Sequence, residues 1–135
     1  MLKNKNLLRR DEIQLLPKIE LHVHLDCCLS FDLLSQLKPG ITRAEYATDF
    51  VGRPKFKDLA DFLKIIDHSL ELMQTPENLH LITADLFQQF QKDHVIYAEI
   101  RFAPFLHLSG GLSPASFFKS TTDNRGKLDF LDALD

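Results

Sequence analysis

The sequence predicts an α/β fold, the N-terminal part of a (β/α)8 TIM barrel that is incomplete in this chain. Two segments, over 18–26 and 95–102, have the alternating or β-branched patterns that are typical of strands. About seventy residues of mainly helical pattern separate them, which favours a parallel pair because antiparallel neighbours need only a short turn. A complete barrel needs roughly 200 to 250 residues, so we expect at most its opening quarter or third in a chain of 135 residues.

Composition and charge exclude several classes of partner. Sixteen Lys and Arg residues against nineteen Asp and Glu residues give a net charge of -3, so we expect no nucleic-acid surface. The N-terminus lacks the apolar core of a signal peptide, and no apolar run reaches membrane-spanning length. We therefore expect a cytoplasmic protein without a membrane partner. Cys27 and Cys28 are adjacent and cannot easily reach relaxed disulfide geometry, so we expect free thiols.

The first predicted strand, over 18–26, has two chemically different faces. One face is aliphatic throughout. The other carries four ionisable side chains in succession, which are Glu20, His22, His24 and Asp26. A strand buried in an ordinary core would not tolerate such a face, so the pattern predicts that this side meets water, a metal or a ligand.

Three helices are predicted between the strands. Ser30 is a candidate N-cap for a short helix that ends near residue 37. Apolar residues at spacings of three and four predict a longer helix over 57–73. Thr75, followed by proline, predicts the start of a third helix over 76–92.

The second predicted strand, over 95–102, also places its charges on one side. Glu99 and Arg101 share that side and are most simply interpreted as an ion pair that braces a barrel interior. Beyond this strand the pattern weakens. A turn is predicted at 110–111, and a short final helix over 128–134.

His22 and His24 form the pattern with the most chemical content. Residues two apart on a strand point to one side, so both imidazoles can reach a single cation. Chance alone supplies this pattern in roughly a quarter of chains with as many histidines. Its context is more specific, because it lies at the carboxyl end of a strand, where barrel enzymes have their active sites. Catalytic zinc takes three protein ligands and a water molecule, and this pair would supply two ligands.

Three blocks of the sequence resemble the adenosine deaminase family. Residues 16–26 (LPKIELHVHLD) are similar to its first-strand signature. Residues 58–63 (DLADFL) resemble its substrate-covering helix, and residues 95–104 (VIYAEIRFAP) resemble its second strand. The resemblance places residues 1–114 in the N-terminal part of a barrel domain and leaves 115–135 as a divergent tail. Cys27 stands where the family commonly has glycine.

The resemblance implies a metal-dependent hydrolase that removes the C6 amino group of adenosine or a related purine nucleoside and releases ammonia. It implies that His22 and His24 bind zinc and that Asp26 hydrogen-bonds the ribose. Four apolar residues of the 57–73 helix would line the lid of the substrate pocket, namely Leu59, Phe62, Leu63 and Ile66. No catalytic acid or base is assigned within this chain, because the family's other active-site residues come from later strands.

Other interpretations stay open. The two histidines are alternatively hydrogen-bonded strand residues, and Asp26 alternatively caps the following turn. The remaining four histidines lack metal-binding spacing and are expected to be solvated or packed; they are His68, His80, His94 and His107. The alternative functions are another HxH amidohydrolase or phosphoesterase, and a truncated, non-catalytic fragment that acts as an interaction or nucleoside-binding module. We also expect self-association through exposed strand edges.

Overall fold

The fold is built on two parallel strands joined by a long helical connection. The structure, a computed structural model, describes residues 9–52, 55–116 and 119. In chain order the helices and strands are α1 (Arg10–Gln14), β1 (Lys18–His24), α2 (Phe31–Leu37), α3 (Arg43–Asp49), α4 (Leu59–Leu72), α5 (Pro76–Lys92) and β2 (Val95–Arg101). The predicted helix over 128–134, and nearly all of the divergent tail, lie outside the described residues.

β1 and β2 pair in parallel, as predicted. Their register sets Lys18 opposite Val95 and His24 opposite Arg101, so the carboxyl ends of both strands meet at one edge. The pairing is irregular between Glu20 and Val23, which breaks the strict alternation that the sequence suggested. Glu20 and Val23, which were predicted to lie on opposite faces, both line one groove.

β1 is shorter than predicted, because the strand ends at His24 and a 3-10 turn follows over Leu25–Cys27. The turn closes with a hydrogen bond from the amide of Cys28 to the carbonyl of Leu25, at 3.4 Å. Asp26 therefore belongs to a turn and not to the strand. This bend buries the Asp26 side chain, which is 7% exposed.

The predicted helix starts are confirmed by their caps. The Ser30 hydroxyl accepts a hydrogen bond from the amide of Leu33, at 3.1 Å, and thereby begins α2. The Thr75 hydroxyl does the same for the amide of Asn78 at the start of α5, where proline occupies the first turn. These caps satisfy backbone donors that have no partner inside the helix.

Helix α3 was not predicted from the sequence. It has seven residues, none of them buried, so it lacks the apolar stripe by which a helix is recognised. Its start is fixed locally by a capping box, in which Thr42 and Glu45 exchange hydrogen bonds. The five-residue helix α1 was missed for the same reason.

The core lies between α5, α2 and the turn that follows β1. Helix α5 contacts α2, β2 and this turn, and α4 contacts the turn as well. The most deeply buried apolar side chains of this core are Leu25, Leu34, Met73, Leu79 and Ile82. The residues at the end of β1 therefore rest on the best-packed part of the fold. In the described part of the chain, no helix is long and apolar enough to cross a membrane.

Candidate metal and nucleoside site

The side chains of His22 and His24 converge at the carboxyl end of β1. Their Nε2 atoms form a hydrogen bond at 3.0 Å, in which the tautomers decide the donor, and the two rings stack with centroids 5.0 Å apart. The pair is thus hydrogen-bonded, as the alternative interpretation expected, and the same convergence lets both nitrogens face one cation. Both side chains are exposed. A strand places alternate side chains on one side, so the extended backbone of β1 is sufficient to aim both imidazoles at one point.

Asp26 lies beside this pair, on the Nδ1 side of His24. Its Oδ1 atom is 3.9 Å from Nδ1 of His24, which is beyond hydrogen-bond distance but within the range of an ion pair. A carboxylate on this side favours the His24 tautomer that carries the proton on Nδ1, which makes Nε2 of His24 the acceptor in its hydrogen bond with His22. A cation bound at this point would replace that hydrogen bond. The bend after β1 thus brings His22, His24 and Asp26 into one cluster.

The donor set of this cluster fits part of a zinc site. Two nitrogens bound to one tetrahedral zinc ion at about 2.0–2.1 Å lie about 3.3 Å apart, close to the 3.0 Å between the two Nε2 atoms. Neutral imidazole is a common zinc ligand. Within the described residues, no group of three or more His, Cys, Asp or Glu side chains has the arrangement of a metal site. His22 and His24 offer two nitrogen donors to a metal ion.

Cys27 and Cys28 are free thiols, as predicted. Burial, together with the charges of Cys27 and of neighbouring acidic groups, raises the pKa of Cys28 to about 12. The Cys28 thiol donates a hydrogen bond to the carbonyl of His24, at 2.8 Å. The more exposed Cys27 thiol lies 3.7 Å from Oδ1 of Asp26, and burial together with that carboxylate raises its pKa to about 11. Both sulfurs therefore stay protonated near neutral pH.

Helix α4 carries the four apolar residues that were predicted to cover a substrate. It packs against the turn that holds Asp26. Leu59 is 70% exposed and Leu63 is 45% exposed, whereas Phe62 is half-buried and makes an edge-to-face contact with Phe56. Ile66, one turn further along, is also half-buried. The helix is thus anchored beside the cluster with part of its apolar surface uncovered.

Glu99 and Arg101 of β2 form the ion pair that the sequence predicted. Their side chains approach to 3.6 Å, and the Tyr97 hydroxyl donates a hydrogen bond to Glu99 at 3.3 Å. Both charged side chains are about half exposed in the described chain. Because Arg101 lies opposite His24 across the sheet, this pair borders the histidine cluster.

His107 is the one histidine that the structure places deep in the core, with no exposed surface. It lies in the 3-10 turn Pro104–His107 that follows β2. Burial lowers its pKa, although a hydrogen bond with the backbone of Met73 and the nearby charge of Asp26 oppose this effect. His107 is therefore a packed histidine, in agreement with the sequence-based expectation.

Asp85 and Gln89 of α5 were not predicted as site residues. Both bond the loop that leaves the histidine cluster, through Ser30 and the carbonyl of Cys28. Their spacing of four residues is also that of an ordinary solvated helix face. Only the packing of α5 against the turn after β1 distinguishes them.

Comparison with known proteins gives a consistent result. The model of the adenosine deaminase family matches residues 17–127. An adenosine deaminase of Lacticaseibacillus casei is 42% identical over 104 residues, which cover 73% of this chain and 31% of that protein. Adenosine deaminases of Clostridium perfringens and Mycobacterium avium are 38% and 37% identical, each over 78% of this chain and over 34% and 31% of their own lengths. The chain thus spans about a third of the curated relatives it matches.

Proposed function

The chain belongs to the adenosine deaminase family, and we propose that it is the N-terminal portion of a (β/α)8 zinc hydrolase. The reaction we assign to the whole enzyme is the hydrolytic deamination of adenosine or a related purine nucleoside, giving an inosine-type product and ammonia. The observation that carries the proposal is the convergence of the His22 and His24 Nε2 atoms, 3.0 Å apart, at the carboxyl end of β1.

In this proposal His22 and His24 hold the metal through Nε2. When bound, zinc supplies Lewis-acid chemistry that makes water a nucleophile near neutral pH. The charge of Asp26 favours the proton on Nδ1 of His24 and so keeps Nε2 available. We assign to Asp26 a second role as the hydrogen-bond acceptor for the ribose.

The apolar residues of α4 are proposed to cover the nucleoside. Leu59 and Leu63 are exposed one helical turn apart, and they offer an apolar surface to a purine. Phe62 and Ile66 support this surface from half-buried positions. The contact between α4 and the Asp26 turn brings the proposed lid next to the proposed ribose contact.

We further propose that the isolated chain of 135 residues binds metal without turning adenosine over. A catalytic zinc site normally has three protein ligands and needs a group that handles protons, and the proposed site contributes two ligands. The location that we propose is the cytoplasm, which two free thiols support.

The first experiment measures zinc affinity by competition with a chromophoric chelator. We expect His22→Gln and His24→Gln each to weaken zinc binding by at least about tenfold, since even changes beyond the ligands cost that much. His68→Gln is the matched control, because His68 is exposed on α4. Equal affinities for all four proteins would overturn the metal assignment.

A second experiment tests the activity. Adenosine and zinc are added to the purified chain, and conversion to inosine is followed by the loss of absorbance. We expect no turnover. Turnover that His22→Ala abolishes would show that the isolated chain is itself an enzyme.

A further inference from the structure

A set of hydrogen bonds from α5 holds the loop that leaves the histidine cluster. We propose that Asp85 and Gln89 are positioning residues, which fix the loop over 28–30 and thereby hold His24 and Asp26 in the geometry that binds metal and nucleoside. The inference rests on the proposed function, because Asp85 and Gln89 would act on the proposed metal ligand His24 and on Asp26 only through this loop.

Gln89 binds the loop through its main chain. Its Nε2 atom donates to the carbonyl of Cys28, at 2.8 Å, and to Oδ2 of Asp85, at 2.9 Å. One side-chain amide thus joins the loop to the neighbouring carboxylate. The shared Nε2 fixes the rotamer of Gln89 because both of its protons are used.

Asp85 holds the next part of the loop. Its carboxylate accepts hydrogen bonds from the amide of Ser30, at 3.0 Å, and from the Ser30 hydroxyl, at 2.7 Å. The same hydroxyl accepts from the amide of Leu33 as the cap of α2. Asp85 therefore fixes the point at which the loop becomes a helix. The hydrogen bonds are charge-assisted, which makes them stronger than neutral ones.

A third contact comes from α3. The Tyr46 hydroxyl donates to the carbonyl of Leu29, at 3.0 Å. Three consecutive residues, Cys28 to Ser30, therefore each have a backbone group bound by a side chain from another helix. This irregular segment is thus held by side chains of two different helices.

Cys28 connects this set of hydrogen bonds to the proposed ligands. Its thiol donates to the carbonyl of His24, at 2.8 Å, and its amide donates to the carbonyl of Leu25, at 3.4 Å. The turn that carries Asp26 lies between these two bonds. A shift of Cys28 is thus passed to His24 on one side and to Asp26 on the other. Binding sites need their groups held to about 0.5 Å, so a small shift is sufficient to weaken the site.

A substitution of Gln89 distinguishes a positioning role from a role in stability better than a substitution of Asp85 does. Its side chain is exposed, and an exposed hydrogen bond adds little to the free energy of unfolding. Gln89→Met keeps the length and the helix propensity of the side chain and removes both hydrogen bonds. Gln91→Met is the matched control, because Gln91 is exposed on the same helix and its side chain makes no hydrogen bond within the described residues.

The experiment compares the unsubstituted full chain with these two variants. Zinc affinity is measured by chelator competition, and backbone exchange is followed at the amides of Leu29 and Ser30. We expect Gln89→Met to weaken zinc binding by about tenfold, the lower end of the range for groups beyond the ligands, and to speed exchange at both amides. The midpoint of urea unfolding should stay unchanged in both variants, and Gln91→Met should match the unsubstituted chain in every measurement.

The outcomes are distinct. Equal zinc affinities of Gln89→Met and the unsubstituted chain would overturn the positioning role and leave the proposed metal site standing. No zinc binding in the unsubstituted chain would overturn the proposed function, and unchanged amide exchange would separately overturn the hold of Gln89 on the loop. If Gln89→Met lowers the free energy of unfolding by as much as it lowers the free energy of zinc binding, the residue is structural and the inference is wrong.

Discussion

The Ser30 hydroxyl donates a 2.7 Å hydrogen bond to the carboxylate of Asp85, which is 55 residues further along the chain. The same hydroxyl accepts from the amide of Leu33 and begins α2. A single oxygen thus links a local helix start to the packing of α5 and to the loop that leaves His24. The site is therefore coupled to the core through a short polar connection.

Ser30→Ala is predicted to destabilise the fold by about 1–2 kcal/mol, because it removes an N-cap and one hydrogen bond of the Asp85 carboxylate. Urea unfolding measures the change. Ser35→Ala is the control in the same helix, since the Ser35 hydroxyl only donates back to the carbonyl of Asp32. A cost for Ser30→Ala no greater than that for Ser35→Ala would contradict the dual role.

Local patterns predicted the elements that have caps and apolar stripes. Both strands, the parallel pairing, and the starts of α2 and α5 are confirmed at Ser30 and Thr75. The alternation of β1 was extended too far, because periodicity cannot reveal where a strand bends into a turn. Asp26 was accordingly expected on a strand face and lies in a buried turn.

The candidate site was predictable only in part, for a related physical reason. His22 and His24 share a face through strand geometry alone, so sequence spacing was enough to pair them. The contacts of Asp85 and Gln89 depend on how α5 packs against the turn after β1. Nothing in their local sequence records that packing. The roles of these residues in binding remain predictions for the experiments above.

Gly110 lies against the chain near the end of α4. A Cβ atom at this position would lie 2.6 Å from the carbonyl oxygen of Gln74, a backbone atom that cannot move aside cheaply. Gly110→Ala is predicted to destabilise the fold by about 1–3 kcal/mol, the usual cost of overpacking. Gly52→Ala is the control, because among the described residues its Cβ would meet no atom closer than 3.9 Å. Thermal unfolding of the two variants should separate them, and equal midpoints would argue against this close contact.

His94 has a left-handed backbone, with φ at 57°, where α5 ends and β2 is about to begin. A side chain pays a steric penalty there that glycine avoids. We predict that His94→Gly raises the unfolding free energy by roughly 0.5–1 kcal/mol. Asp93→Gly, one residue earlier at φ -97°, should lower it instead. A destabilised His94→Gly would show that the imidazole makes a contact worth more than the strain.

In the described chain each strand of the two-stranded sheet has one unpaired outer edge, and both strands also expose apolar side chains. Ile19 and Leu21 of β1 are 62% and 57% exposed, and Ile96 of β2 is 49% exposed. We predict concentration-dependent self-association, because such edges pair readily with other chains. Leu21→Lys should shift the sedimentation profile towards the monomer, as charged residues protect natural sheet edges. Lys64→Arg, an exposed charge-preserving change on α4, should leave the profile unchanged. A monodisperse monomer at all concentrations would contradict the prediction.

The two thiols next to the histidine cluster should react slowly and become reactive only in strong alkali. Burial is the main cause that raises their pKa values from 9.0 to about 11 for Cys27 and about 12 for Cys28. Each unit above the ordinary value lowers the thiolate fraction at pH 8 about tenfold, so iodoacetamide should alkylate Cys27 about a hundredfold more slowly in the folded chain than in urea. Cys27→Ser and Cys28→Ser assign the two rates.

The raised pKa values of the two thiols also predict how stability depends on pH. Because the folded chain holds these protons more tightly than the unfolded chain, the two thiols stabilise the fold fully below pH 9, and this stabilisation is lost as the pH rises towards 12. The unfolding free energy should therefore fall over that range, and less steeply in Cys28→Ser. Equal alkylation rates in the folded and unfolded chains would contradict the burial of the two thiols and their raised pKa values.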